Sequence, residues 1–298
     1  MVGTAEGGRV GPLRIVVTGA GGQLGTDVVR LASAAGRHDV VAASSSELDV
    51  GDRDVVLAAL TGARPDLIVH CAAWTAVDAC ESDPDRAFRV NAFGCRNVAE
   101  AALRTGAHLV AVSTDYVFDG TLSRPYTEWD RPHPVSVYGL SKRAGEEEIL
   151  ALLPIATIAR TAWVCGPHGA NMVKTILRLA RGGGTLRFVD DQRGCPTFTE
   201  DLAGMLLQLG IGRRPGLFHV TNQGATTWYG FARDVLAAAG MDPARVEPIA
   251  TSDLDPPRPA PRPANSVLDN AALRMSGVAL LSDFHEPLER TVKALITQ

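Results

Sequence analysis

The chain has 298 residues and a formal net charge of −4, which is enough length for one large α/β domain or two smaller ones. The acidic balance and the lack of any basic run exclude a typical nucleic-acid binder, whose surface is normally basic. No apolar run approaches the length of a membrane span and no signal pattern opens the chain, so the sequence predicts a cytoplasmic protein without membrane contact.

A glycine-rich turn stands between the first predicted strand and the first predicted helix. Residues 13–17 are a short apolar run, Gly19, Gly22 and Gly25 follow, and residues 26–35 show a helical pattern. Glycine is needed where the backbone approaches a pyrophosphate closely at the positive end of a helix. The arrangement therefore predicts a dinucleotide-binding site.

Predicted strands and helices alternate along the first half of the chain. This alternation predicts an α/β fold with a doubly wound, Rossmann-type parallel sheet that is covered by helices on both faces. Small residues follow the third strand, where ligands bind in such sheets and where they leave room for a cofactor. The later strands are predicted at residues 40–43, 66–73, 109–112 and 155–158, and the helices at 54–60, 84–105 and about 135–152.

The second half of the chain has longer loops and isolated strands. We interpret it as a smaller, interleaved substrate domain, in which a proline-rich segment forms an extended loop. The predicted divisions are a disordered tail at residues 1–12, a dinucleotide-binding domain at 13–160 and a mainly substrate-binding domain at 161–298, with strands at 186–189 and 217–220, the proline-rich loop at 255–263, and residues 217–220 returning to the main sheet.

Tyr138 and Lys142 are four residues apart on a predicted helix and therefore project from the same face. A free phenol titrates near 10, and a neighbouring cation lowers its pKa towards the range useful for catalysis. The hydroxyl of Thr114 at the end of the fourth strand could hydrogen-bond the same reacting oxygen. The three side chains suit proton transfer to a carbonyl or from an alcohol, although Y-x-x-x-K alone also arises on ordinary surface helices.

The five cysteines are scattered and never form C-x-x-C, which predicts reduced structural thiols. The seven histidines show no H-x-x-x-H pairing, so no zinc site is predicted. The second strand ends in Ser44-Ser45-Ser46, and no carboxylate appears until Glu47. Because enzymes restricted to NADH usually place an acidic residue at this strand end, the sequence predicts that NADPH is accepted at least as well as NADH.

Seven sequence blocks occur in an order that resembles the extended short-chain dehydrogenase/reductase superfamily, and within it the dTDP-4-dehydrorhamnose reductase family. The likeness extends from Arg14 almost to the C-terminus. The first and fourth blocks occur across the superfamily, whereas S-T-D-Y-V-F, D-Q-x-G-x-P-T and R-P-x-N-S resemble this reductase group. The blocks are G-A-G-G-Q-L-G (19–25), C-A-A-W-T-A-V-D (71–78), S-T-D-Y-V-F-D-G (113–120), Y-G-L-S-K (138–142), R-T-A-W-V (160–164), D-Q-R-G-C-P-T (191–197) and R-P-A-N-S-V-L-D (262–269).

The resemblance implies NAD(P)H-dependent reduction of the C4 keto group of dTDP-4-dehydro-L-rhamnose. In that reaction Tyr138 would donate the proton, Lys142 would bind the nicotinamide ribose and tune Tyr138, and Thr114 would hydrogen-bond the carbonyl oxygen. The implied cofactor-binding residues are Gly19, Gly22, Gln23, Leu24, Gly25, Asp49, Val50, Ala72, Ala73, Thr75, Tyr138 and Lys142, with Asp49 and Val50 beside the adenine.

The implied substrate-binding residues are Thr114, Asp115, Trp163, Asn171 and Arg262. Asp115 and Trp163 would border the sugar, Asn171 would lie near the diphosphate, and Arg262 is a candidate for the diphosphate because guanidinium matches phosphate geometry. As single residues, Trp163 is more often part of a core, and Arg262 is as readily a solvated loop arginine.

The resemblance also covers other classes of protein. An epimerase or dehydratase acting on a nucleotide sugar would keep its cofactor bound, and a non-catalytic regulatory subunit would retain the fold and the dinucleotide site. Some relatives are dimers with Mg²⁺ at the interface, which raises the expectation of a homodimer and of metal ligation by Asp27 and Glu200.

Overall fold

The computed structural model describes residues 11–297, so the predicted tail lies almost entirely outside the described residues. The strands, numbered in chain order, are β1 (Arg14–Thr18), β2 (Asp39–Ala43), β3 (Leu67–His70), β4 (His108–Thr114), β5 (Thr157–Thr161), β6 (Val164–Cys165), β7 (Leu186–Val189), β8 (Arg193–Gly194), β9 (Thr197–Phe198), β10 (Gly216–His219), β11 (Thr226–Thr227) and β12 (Val246–Ile249). The helices are α1 (Gln23–Ala34), α2 (Arg53–Ala63), α3 (Val77–Ser82), α4 (Pro84–Phe88), α5 (Gly94–Thr105), α6 (Val137–Leu152), α7 (Met172–Arg181), α8 (Thr199–Ile211), α9 (Trp228–Ala238), α10 (Ala271–Met275) and α11 (His285–Ile296), with a π-helix at Arg89–Phe93 and 3₁₀ turns at Asp115–Val117, Pro243–Arg245 and Thr251–Asp253.

The main sheet has the strand order β10-β5-β4-β3-β1-β2, and all of its neighbouring pairs are parallel. The order reverses between β1 and β3, which is the point where doubly wound sheets open a crevice for a ligand. The predicted doubly wound parallel sheet is therefore confirmed.

Helices cover both faces of this sheet with apolar side chains. On one face, α1 and α8 pack over strand residues such as Val17 and Val69. On the other face, α2, α5 and α6 pack over residues such as Ile68 and Leu109. These strand residues are almost completely buried, which explains why each strand reads as a continuous apolar run.

Part of the second half of the chain forms a separate apolar cluster, whereas α8 and β10 belong to the core of the main sheet. Helices α7, α9 and α11 enclose residues such as Phe231 and Phe284 and pack against the parallel pair β7–β12. Strand β12 was not predicted, because Glu247 and Pro248 interrupt its apolar pattern. No helix among the described residues has both the length and the apolar composition needed to cross a membrane.

Two predicted elements differ from the structure near the site. The third strand ends at His70, and its predicted continuation to residue 73 is a loop. The helix predicted at residues 84–105 is interrupted by the π-helix Arg89–Phe93, which contains Asn91. π-Helical turns are frequent at functional sites, and both differences lie beside the cavity described below.

Candidate active site

A cavity of about 550 Å³ opens at the carboxyl edge of the main sheet. It is bordered by the loops that follow β1, β3, β4 and β5 and by the start of α6. The three predicted catalytic residues and most of the predicted cofactor residues therefore share one space, whereas Gly19, Asp49, Val50 and Ala72 are not part of its lining. The lining includes Gly22, Gln23, Leu24, Gly25, Ala73, Thr75, Thr114, Asp115, Tyr138, Lys142, Trp163 and Trp228.

The glycine-rich turn folds tightly against the end of β3. Gly19 has a φ of +68°, and a Cβ added there would lie 2.6 Å from the backbone nitrogen of Ala72. A Cβ at Gly25 would collide with the carbonyl of Gly19. Gly22 and Gly25 line the cavity at the N-terminus of α1. The turn is therefore a backbone cradle of the kind that holds a pyrophosphate at a helix N-terminus.

Helix α6 presents Tyr138 and Lys142 to the cavity. Ser136 caps this helix by accepting a hydrogen bond from the Gly139 N–H. Gly139 packs on the carbonyl of Tyr116, which leaves no room for a side chain. Tyr138 is 8% exposed, and Lys142 Nζ donates to the Val112 carbonyl oxygen over 2.7 Å.

Burial is the largest influence on the pKa of Tyr138. Desolvation of the phenolate raises the pKa of Tyr138 well above its ordinary value, and the neighbouring hydroxyl of Thr114 opposes this rise. Desolvation is the largest cause of the shift, and the ammonium of Lys142 is bonded to the Val112 carbonyl. The tuning of Tyr138 by Lys142 therefore stays a prediction.

A buried ion pair fixes α6 against the sheet. Glu146, one turn beyond Lys142, accepts two hydrogen bonds from the guanidinium of Arg160 on β5, at 2.8 and 2.7 Å. Ser113 on β4 donates to the same carboxylate over 2.6 Å. Removing one partner of such a pair leaves an uncompensated buried charge. The network therefore holds the strand carrying Thr114 and the helix carrying Tyr138 together.

Asp115 is the carboxylate of the cavity that lacks a full set of partners. Its Oδ1 accepts from the hydroxyl of Thr114 over 3.0 Å, while Oδ2 is buried without a partner among the described residues. Burial raises the pKa of Asp115 to about 6. An unsatisfied buried acceptor in a ligand cavity is suited to a hydroxyl group of a bound molecule.

Trp163 lies on the opposite wall and is stacked on Trp228. The ring centroids are 3.5 Å apart and the planes differ by 3°. Both indoles line the cavity. Trp228 is not recognisable from the sequence, because a single tryptophan at the start of α9 has no chemical signature until its stacking partner is known.

Asn91 is a second residue whose importance is visible only in the fold. Its amide accepts from the Trp74 N–H over 2.8 Å and donates to the Trp74 carbonyl over 3.1 Å. The same amide donates to the Ser141 hydroxyl over 3.0 Å. Asn91 therefore ties the loop after β3 to α6, between Tyr138 and Lys142.

The two predicted diphosphate residues are engaged with protein groups. Asn171 caps α7 and donates to Gln23 Oε1 over 2.9 Å, which joins the second half of the chain to the glycine-rich turn. Arg262 makes a two-point ion pair with Asp78 at 2.5 and 2.8 Å. This pair holds the pKa of Asp78 low, at about 2, and attaches the proline-rich loop to α3.

The predicted adenine residues lie outside the cavity lining. Asp49 accepts from Arg89 over 2.8 Å, and Val50 is buried beneath Gly94. At the end of β2, the carboxylate of Glu47 accepts from both the N–H and the hydroxyl of Ser44, at 2.8 and 2.7 Å. The carboxylate of Glu47 is thus folded back onto the end of β2, which its position in the sequence does not show.

The predicted Mg²⁺ ligands Asp27 and Glu200 are neutralised by arginine. Arg30 donates to Asp27 over 3.0 Å and to Glu200 over 2.7 Å, and Thr199 donates to Asp27 over 2.5 Å. Among residues 11–297 no cluster of three or more metal-ligating side chains occurs. The structure gives the metal prediction no support, because the guanidinium of Arg30 is bonded to both carboxylates.

The chain is similar over nearly its whole length to known proteins of one family. Residues 13–297 match the model of the RmlD substrate binding domain. The dTDP-4-dehydrorhamnose reductase of Mycolicibacterium smegmatis is 44% identical over 287 residues, which cover 95% of this chain and 86% of that protein.

Two solved structures are similar over nearly the whole chain. A dTDP-4-dehydrorhamnose reductase from Clostridium acetobutylicum has a TM-score of 0.91 and 38% identity, covering 95% of this chain and 99% of that one. The enzyme from Bacillus anthracis, solved in complex with NADP, has a TM-score of 0.90 and 36% identity, covering 96% and 100%.

Proposed function

We propose that this chain, which belongs to the dTDP-4-dehydrorhamnose reductase family, reduces the C4 keto group of dTDP-4-dehydro-L-rhamnose to give dTDP-L-rhamnose. It is an NAD(P)H-dependent oxidoreductase of dTDP-rhamnose synthesis. The observation that carries the proposal is the convergence of Tyr138, Lys142 and Thr114 on the cavity that begins at the glycine cradle.

The residues of the cradle fit a dinucleotide. Gly22 and Gly25 line the cavity at the N-terminus of α1, where a pyrophosphate is favoured by backbone N–H groups and the helix dipole. Gln23, Leu24, Ala73 and Thr75 line the same part of the cavity. When bound, the reduced nicotinamide supplies the hydride that is added to the C4 carbon of the sugar.

The reduction also requires one proton on the carbonyl oxygen, and Tyr138 is its proposed donor. Burial keeps the phenol protonated, which is the state that a general acid needs. Thr114 stands beside Tyr138 and is proposed to hydrogen-bond the same oxygen. Lys142 is proposed to bind the nicotinamide ribose, exchanging the Val112 carbonyl for that partner, and to stabilise the phenolate left after proton transfer.

Two of the proposed sugar and nucleotide residues lie in the cavity, and the other two are proposed from the family resemblance. Asp115 offers a free carboxylate oxygen to a sugar hydroxyl, and Trp163 gives an apolar wall for the ring. Asn171 and Arg262 would meet the diphosphate after leaving Gln23 and Asp78. We do not extend the proposal to a Mg²⁺-bridged homodimer, because Arg30 already neutralises Asp27 and Glu200.

The test is oxidation of added NADPH by the purified chain. We expect absorbance of the reduced nicotinamide to fall only when dTDP-4-dehydro-L-rhamnose is present, with dTDP-L-rhamnose as the product. An epimerase or dehydratase would turn over without consuming added NADPH, and a regulatory subunit would bind dinucleotide without turnover. Either result would contradict the proposal.

A further inference from the structure

Trp163 adopts a strained backbone conformation at the point where the chain leaves the main sheet. It follows β5, precedes β6 and has a φ of +45°. A residue with a Cβ seldom adopts this left-handed conformation, and a bulky one does so only where its surroundings impose it. The surroundings of the Trp163 indole must therefore stabilise this conformation.

The stack with Trp228 is one source of that constraint. A centroid separation of 3.5 Å at an angle of 3° leaves almost no lateral offset between the two rings. Free aromatic pairs prefer offset or edge-to-face geometries over this one. Phe231 closes the stack with its edge, at 6.4 Å from Trp163 and 6.2 Å from Trp228. The eclipsed arrangement is therefore imposed by the fold.

Gly194 is the second source of constraint. A Cβ added at Gly194 would lie 2.8 Å from Cζ2 of Trp163 and closer still to other ring atoms. Gly194 has no positive φ, so its backbone would accept alanine. Glycine is required at this position by the closeness of the indole.

Gly194 and Trp228, the two residues that constrain Trp163, lie within or directly after one short two-stranded ribbon. In the antiparallel pair β8–β11, Gly194 lies opposite Thr226, and Trp228 follows directly after β11. The other side of β8 is anchored by backbone hydrogen bonds of 2.8 Å from Arg193 to Ala264 and from Ser266 to Arg193. The ribbon therefore fixes the position of the indole relative to the rest of the molecule.

We propose that Trp228 and Gly194 are positioning residues that hold the indole of Trp163 as a preformed apolar wall for the sugar ring of the substrate. The inference rests on the proposed function, which supplies the substrate, and both indoles share the cavity with Tyr138. A preformed wall avoids the ordering of a large side chain when substrate binds. Loss of this clamp, formed by Trp228 and Gly194 around the indole of Trp163, should therefore weaken binding of the sugar nucleotide and leave binding of the dinucleotide unchanged.

The experiment compares Trp228→Leu, Trp228→Phe and Gly194→Ala with the matched control Trp129→Leu. Trp129 is 66% exposed and lies outside the cavity lining, so its removal deletes one indole without touching the clamp. For each protein we would measure KM for dTDP-4-dehydro-L-rhamnose, kcat, the Kd for NADPH, and circular dichroism, in which stacked indoles give a paired signal of opposite signs.

We expect Trp228→Leu and Gly194→Ala to lose the paired indole signal and to raise KM for the sugar nucleotide by roughly 3- to 10-fold. The Kd for NADPH should change less than about twofold, and kcat little, as for a loss of uniform substrate binding. Trp228→Phe, which keeps a ring over Trp163, should retain a KM near that of the wild type. Trp129→Leu should keep both the signal and the kinetics.

Loss of the indole signal in Trp228→Leu or Gly194→Ala with an unchanged KM for the sugar nucleotide would overturn the inference and assign the stack to core packing; Trp228→Phe necessarily loses the indole pair and is judged by its KM alone. A parallel rise in KM and in the Kd for NADPH would overturn it as well, since the effect would then be general unfolding. If Trp228→Leu does not fold, the KM values of Gly194→Ala and Trp228→Phe for the sugar nucleotide test the inference. A wild-type protein with the indole signal but no sugar-dependent NADPH oxidation contradicts the proposed function instead.

Discussion

The cavity and the outer face of α1, meaning the surface formed by Asp27, Arg30 and Glu200, both contain buried or half-buried carboxylates. The hydrogen-bond partners of these carboxylates differ between the two regions. On the outer face, Asp27 and Glu200 share the guanidinium of Arg30, and Thr199 completes the shell of Asp27. In the cavity, Asp115 keeps one buried oxygen without a partner among the described residues.

The two regions differ in whether their carboxylates can accept a ligand. A satisfied network of charges stabilises a surface and has no free ligand position. An unsatisfied buried polar group in a ligand cavity costs free energy that a bound ligand can offset. The two regions therefore predict opposite responses to substitution: large effects on catalysis in the cavity and effects on stability alone at the outer face.

The largest effect is expected at Tyr138. Tyr138→Phe removes the proton donor and keeps the ring, so kcat should fall by about 10²- to 10⁴-fold. Tyr229→Phe is the matched control, because Tyr229 lies on α9 outside the cavity lining. Steady-state rates of NADPH oxidation measure the effect. Near-normal turnover by Tyr138→Phe would remove Tyr138 from the mechanism.

A smaller loss is expected at Lys142. Lys142→Ala should weaken NADPH binding by roughly tenfold, lower the rate, and move the acidic group of the pH–rate profile to a higher pKa, because a cation that stabilises the phenolate is gone. Lys293→Ala, an exposed change on α11, is the control. A slower enzyme with unchanged cofactor affinity and an unchanged pH profile would contradict the double role.

Asp115→Asn should separate stability from binding. Burial raises the folded-state pKa of Asp115 to about 6, above the ordinary value of about 3.9. The stability that this group contributes is fully present below about pH 4 and is lost as the pH rises through 6, where a buried charge forms.

We therefore expect Asp115→Asn to raise the free energy of unfolding at pH 8 by about 1–3 kcal/mol and to have little effect at pH 4. The same change should raise KM for the sugar nucleotide by roughly tenfold, because an acceptor for a hydroxyl is altered. Denaturant unfolding at both pH values and steady-state kinetics measure the two effects. Asp54→Asn, whose carboxylate is 95% exposed, is the control. A stability gain equal at both pH values would disprove the shifted titration.

At the end of β2, Glu47→Gln tests cofactor selection. The wild type is predicted to accept NADPH at least as well as NADH. The carboxylate on Ser44 should nevertheless repel a 2′-phosphate, so Glu47→Gln should raise the NADPH:NADH ratio of kcat/KM by roughly 3- to 10-fold. Glu247→Gln on β12 is the control. A wild type that prefers NADH by more than about tenfold would show that Glu47 already selects the ribose.

The smallest catalytic effect is expected on the outer face. Asp27→Asn should lower stability by about 1–3 kcal/mol, because Arg30 and Thr199 lose a buried partner, and should leave kcat/KM within about twofold. Addition of Mg²⁺ or of a chelator should not change the molecular mass in solution or the melting temperature. A Mg²⁺-dependent increase in mass would restore the metal site that the arginine argues against.

Local sequence determined the parts of this molecule that depend on neighbouring residues. The run into Gly19, Gly22 and Gly25 specified a strand, a tight turn and a helix, since glycine conformation and apolar period are local properties. Tyr138 and Lys142 are one helical turn apart, so their common face also followed from spacing alone. Both features are present in the cavity.

Only the tertiary structure decided how those groups are charged and partnered. Arg262 meets Asp78 across 184 positions of the chain, and Trp228 covers Trp163 through a ribbon that no spacing announces. The raised pKa of Tyr138 has the same origin. Desolvation and ion pairing depend on which distant elements pack around a group, and spacing along the chain does not report that packing.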